Sequence, residues 1–173
     1  MDTATTTGRT GALAGLRVGV LISAAVAAVL LLVSLLGPGW VYVPANPAVP
    51  SPAMTLDFND LGDLSHSGTA PTTSVQQAYF GWLGWALVII AVVVLFAAAI
   101  LGHRILAVSA AVMGVVGLVF TLFGVKGAQA WSALIDQLAN IRIGGYLVLC
   151  GYVLALVTGM VIARRQLPPP AAR

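Results

Sequence analysis

Four long apolar stretches divide the chain: residues 18–36, 80–101, 105–123 and 143–163. None of them contains a charged side chain. The first has 19 residues. As a helix it would be about 28 Å long at 1.5 Å per residue, close to a hydrocarbon core of roughly 30 Å. The pattern therefore predicts an all-α integral membrane protein, a bundle of four transmembrane helices. Gly102, His103 and Arg104 separate the second and third stretches, a turn so short that these helices form an antiparallel hairpin. The first stretch is too long for the apolar part of a cleaved signal peptide and is read as a retained helix.

The segments between the stretches are of two kinds. Residues 37–79 form a long loop, opened by the helix-breaking Gly37-Pro38-Gly39 and studded with prolines at 44, 47, 50, 52 and 71. Short strands are conceivable at 40–43 and 54–58, whereas 44–53 is expected to lack regular structure. Between the third and fourth stretches, Trp131, Leu134, Ile135 and Leu138 fall on one helical face, and Gln129, Ser132, Asp136 and Asn140 on the other. This spacing predicts a short helix lying in the membrane interface. The domain division is thus a polar N-terminal tail over 1–17, irregular to about Gly11, a membrane domain over 18–163, and a Pro-rich tail over 164–173.

Composition agrees with lipid as the solvent. The chain is 60% hydrophobic and 8% charged, where soluble domains carry about 25% charged residues. Seven of the eight basic residues are Arg, and Ala, Gly and Val abound, a bias that points to a GC-rich bacterial genome. Charge also orients the chain. Arg9, Arg17, Arg104, Arg164, Arg165 and Arg173 fall on one side of the four spans, and only Lys126 and Arg142 on the other. The positive-inside rule predicts both termini in the cytoplasm of a multi-pass plasma-membrane protein. Trp40, Trp82, Trp85 and Trp131, with Tyr79 and Tyr146, gather toward the opposite surface. They are read as outer interfacial anchors, because these rings favour the headgroup level.

Candidate chemistry is sparse. Asp57, Asp60, Asp63 and His66 recur every third residue. On a helix that step rotates each side chain about 300°, so the four spiral instead of converging on an ion. No metal or cofactor is expected. No nucleotide, nucleophile-base or metalloprotease motif is present, and the basic residues are too scattered for nucleic acid. The spans hold only small polar groups, chiefly Ser23, Ser34, Ser109, Thr121, Cys150, Tyr152 and Thr158. Hydroxyls in such a place bond back to their own helix. Cys150 is expected to be buried in packing.

The main architectural signal is a row of small residues, Gly151, Ala155, Gly159 and Ala163, at every fourth position of the last span. Small residues let helix backbones approach closely in lipid. They are read as a helix-packing interface, internal or toward a partner. Gly19, Ser23 and Ala27 repeat the pattern in the first span, and Ala110, Gly114 and Gly117 in the third.

Four spans with a long first loop that opens on Gly37-Pro38-Gly39-Trp40 resemble the claudin-type tetraspan layout, although the paired loop cysteines of that family are missing. The chain also resembles small tetraspan proteins of GC-rich Gram-positive bacteria. Neither likeness implies an activity. The expected role is a non-enzymatic accessory or scaffold subunit of a larger membrane complex, partnered by a membrane protein or by copies of itself. An oligomeric channel or lipid-handling component is the alternative.

Overall fold

The computed structural model describes residues 4–45, 52–69, 71–136 and 138–165. Helix α1 covers Ala4–Leu36. A hairpin of β1 (Val41–Val43) and β2 (Met54–Leu56) follows, then α2 (Phe58–His66) and α3 (Ser74–Ala78). A π-turn over Tyr79–Leu83 joins α3 directly to α4 (Gly84–Leu101). Next come α5 (Arg104–Lys126), α6 (Trp131–Asp136), a 3-10 turn at Leu138–Asn140 and α7 (Ile143–Arg165). Among the described residues, four helical stretches are long and apolar enough to cross a membrane: Arg17–Leu36, Ser74–Leu101, Arg104–Lys126 and Ile143–Arg165.

The helix limits differ from the apolar runs. α1 is helical back to Ala4, which corrects the expectation of irregular backbone to about Gly11, since a formed helix extends by one bond per added residue. The second span starts at Ser74 instead of residue 80, because the Thr73 hydroxyl accepts the Gln76 amide and caps α3. At the other end, Gly102 takes the left-handed conformation, φ 68°, and its N–H donates to the Ala98 carbonyl. A side chain would be strained in that conformation, so glycine suits the tight return into α5.

The spans are arranged in chain order around a ring, with α7 closing against α1. α7 packs most extensively, on α5 and on α1, and the α1–α4 seam is the loosest of the four. The core changes character along the bundle. At the end that carries the arginines it is built from Ala24, Ala27, Ala98, Ala107, Ala110 and Ala155, with Leu95 and Ile162. At the loop end it is built from Trp40, Phe58, Tyr79, Phe80 and Tyr152, with Leu31, Leu35 and Val148. Alanines bring the helices close together, and the large rings fill the wider space under the loops.

Within the small-residue row of α7, Gly151, Ala155 and Gly159 are buried and Ala163 is half-buried. A methyl group at Gly151 would come within 2.7 Å of the Leu31 side chain on α1. One at Gly159 would come within 2.7 Å of the Ala111 amide nitrogen and 2.8 Å of the Ala107 carbonyl oxygen on α5. The row therefore serves two neighbours within the chain and is not a lipid-facing surface open to a partner. On α5, Gly114 is equally tight against α7, 2.9 Å from the Tyr152 carbonyl oxygen. Gly19 on α1, by contrast, has open space before it.

Cys150 corrects one expectation: it is exposed, not buried. It shares a helix face with Tyr146, Val153, Val157 and Met160, all exposed. The buried face of α7 carries Val148, Tyr152, Ala155 and Ile162. Cys150 lies on the lipid side of that division.

Candidate functional site at the loop end

The long loop is a folded cap. Val41, Tyr42 and Val43 pair antiparallel with Leu56, Thr55 and Met54. Pro44, Ala45, Pro52 and Ala53 belong to no regular element, and the rest of the Pro-rich stretch, 46–51, lies outside the described residues. Backbone bonds then stitch this first loop to the second. Val41 bridges to Ile141, the Arg142 N–H donates to the Trp40 carbonyl at 2.8 Å, and the Gly144 N–H donates to the Gly39 carbonyl at 3.0 Å. Two connections far apart in the chain thus form one structure across the mouth of the bundle.

Trp40 is the centre of that structure, and here the anchor reading is corrected. The ring is fully buried. Its indole N–H donates to the Ser34 carbonyl at 2.6 Å, near the end of α1. Phe58, Phe80 and Tyr79 surround it, with ring centroids 5.3, 5.8 and 6.4 Å away. An amphipathic ring suits a headgroup layer, but it suits equally a core that offers one acceptor for the N–H. The folded loop supplies such a core.

Tyr79 is likewise internal, with no exposed surface. The Thr121 hydroxyl donates to the Gly117 carbonyl at 2.7 Å, so the Tyr79 hydroxyl must donate to the Thr121 oxygen, also at 2.7 Å. This chain of bonds fixes the π-turn to α5. The wider turn lets two successive residues, Tyr79 and Phe80, both reach the core. Tyr152 is fully buried beside it, and its hydroxyl has no hydrogen-bond partner among the described residues.

The other three tryptophans lie at or near the surface. Trp82 is 65% exposed and Trp131 52%. Trp85 is partly covered, edge-on to Phe58 at 6.3 Å. Trp131 lies against Phe123, and the Lys126 ammonium sits 5.3 Å from its ring centre. The Arg142 guanidinium stacks 4.5 Å over Tyr42. Both loop-end cations are therefore associated with aromatic faces.

Two members of the acidic series, Asp57 and Asp60, have a structural role. Asp57 caps α2: its side chain accepts the amides of Asn59 and Asp60, at 2.8 and 2.9 Å. The Asp60 carboxylate accepts the Asp57 amide at 3.0 Å, completing a reciprocal capping box. His66 ends the same helix, with its Nδ1 2.8 Å from the Gly62 carbonyl. Among the described residues no three His, Cys, Asp or Glu side chains gather as metal ligands would. Asp57→Ala is expected to cost about 1 kcal/mol, the usual loss for an N-cap. Amide hydrogen exchange should then rise at Asn59 and Asp60. Unchanged exchange there would show the box to be idle.

A small apolar cavity of about 60 Å³ lies under the cap, bounded by Trp40, Thr121, Val125, Leu134, Ile141 and Leu149. On the cap itself, a cleft of about 310 Å³ runs between the hairpin, α2 and α6, past Tyr42, Leu61, Gln76, Gln129 and Asn140. The cleft is lined by both apolar and polar side chains. Comparison with protein-family models, with curated proteins and with solved structures finds no match to this chain in any of the three.

Proposed function

We propose that the chain is a non-enzymatic accessory or scaffold subunit of a larger plasma-membrane complex, which presents its cap to a membrane-protein partner. The observation that carries this reading is the stitched cap. Two loops joined by backbone hydrogen bonds and filled by Trp40 hold a fixed surface over the bundle. A fixed surface costs less ordering entropy when a partner docks. The close approaches at Gly114, Gly151 and Gly159 draw the spans together, so a conduit through lipid would need several copies. In a mild-detergent pull-down, the full chain is expected to bring one larger membrane complex in fixed stoichiometry. Recovery of the chain by itself, after crosslinking in cells, would overturn the reading.

In this reading the cap faces outward and both termini are cytoplasmic, in a bacterial plasma membrane. The arginine distribution supports that orientation. α6 then lies in the outer interface, a placement supported by the exposure of Trp131, Ile135 and Leu138. Trp82 and Trp131 are its anchors. A cysteine placed at Ser67, an exposed position just after α2, tests this in a Cys150→Ala background. It should react with an impermeant maleimide added to intact cells. Reaction only after the cells are opened would reverse the orientation.

A further inference from the structure

The loosest seam of the ring, between α1 and α4, opens at the arginine end into a cleft of about 350 Å³. Its walls are apolar: Val20, Leu21, Ala98, Leu101 and Ile162. Two exposed arginines also line it, Arg17 from α1 and Arg165 from the last turn of α7. A second cleft of about 290 Å³ lies on the other side of α1, along Gly19, Ser23, Leu154 and Val161. Arg165 lines that one too. The open space before Gly19 belongs to this second cleft. Thus α1 is flanked on both sides by apolar grooves that share one guanidinium.

Among the described residues the charge at this end is unbalanced. The acids of the described residues are Asp57, Asp60, Asp63 and Asp136. All four belong to the cap, at the far end of the bundle. Two guanidiniums lining one cleft repel each other unless an anion lies between them. Each offers a planar fork that matches phosphate oxygens. Basic pockets between membrane helices are the usual seat of anionic headgroups. The apolar walls below add a place for an acyl chain.

We infer that this cleft is a binding site for one anionic phospholipid, its phosphate held by Arg17 and Arg165 and an acyl chain laid between α1 and α4. A zwitterionic lipid carries its own cation and leaves the arginines uncompensated. Selectivity for net negative charge follows.

The test is native mass spectrometry of the purified full chain with phosphatidylglycerol and with phosphatidylcholine of the same acyl length. The chain should retain phosphatidylglycerol preferentially. Arg17→Gln with Arg165→Gln should weaken that retention at least about tenfold. Arg104→Gln with Arg164→Gln removes the same charge outside the cleft and should leave it unchanged. Leu21→Trp keeps both arginines, fills the groove and should also release the lipid. Equal loss in the two double variants would reduce the effect to general surface charge and overturn the site. Displacement of the lipid by millimolar inorganic phosphate would show an anion site without a lipid chain, which also overturns it. So would a lipid-free dimer that buries the cleft.

Discussion

Gly159→Ile is expected to destabilise the bundle strongly, while Val157→Ile, two residues away, should be almost silent. At Gly159 the first added carbon already meets backbone on α5, at 2.7 Å from the Ala111 nitrogen and 2.8 Å from the Ala107 oxygen. Backbone cannot swing aside as a side chain can. Overpacking costs about 1–3 kcal/mol in typical cores, and a branched side chain against two backbone atoms belongs at the upper end. Separating α5 from α7 would also disturb the alanine contacts at Ala107, Ala110 and Ala155, all buried at that end. Val157 is 47% exposed on the outer face of α7, and acyl chains rearrange around one more methylene. Thermal melting in detergent separates the two variants. Similar melting temperatures would mean that α5 and α7 are not in close contact.

Trp40→Ala should have a comparable effect, at the other end. Removing a buried Trp side chain costs about 3–5 kcal/mol. The loss here reaches both loops, because the ring packs on Phe58, Phe80 and Tyr79 and Trp40 shares a small apolar cavity with Leu134 and Ile141 of the second loop. The Ser34 carbonyl would lose its indole donor as well. Cleavage of the cap by protease should therefore rise sharply while the four spans remain protected. Trp40→Phe keeps a ring but not the N–H, and should fall between wild type and the Ala variant. A cap that resists protease equally well without Trp40 would contradict its central place in the fold.

These two residues also show what could be read from the chain and what could not. Spans are legible because lipid imposes one requirement on about twenty successive residues, and the four runs meet it. The row through Gly159 was visible as spacing, but spacing could not say whether it faced α5, α1 or another protein. Trp40 is ambiguous in the sequence, because the same amphipathic ring satisfies a headgroup layer and a capped core. What decides between them is whether Ser34, Phe58 and Tyr79 converge on it, and that is a property of the folded loop. The exposure of Cys150 is not legible in the sequence, because an apolar run of near-uniform hydropathy does not mark its buried face. Two short motifs in the sequence do mark helix starts in the cap. Asp57 and Asp60 stand three apart, as do Thr73 and Gln76, the spacing of capping boxes that open helices. The bonds from Arg142 to Trp40 and from Gly144 to Gly39 had no such signal, since backbone groups pair without regard to side chain.

Those same bonds set an order on synthesis. The first loop emerges from the ribosome well before α7 is made, since its partners lie about a hundred positions later, a separation that delays closure. During that interval the carbonyls of Gly39 and Trp40 have only water to bond, and one edge of the β1–β2 hairpin is unpaired. Open edges of this kind invite pairing with other chains. Insertion of the fourth span brings Arg142 and Gly144 into place, and a methyl group at Gly144 would come within 2.6 Å of the Pro38 carbonyl oxygen. The two loops can therefore join only after Gly144 has been made. A chain cut short after α5 would leave the Gly39 and Trp40 carbonyls without their partners on the second loop and one edge of the hairpin open.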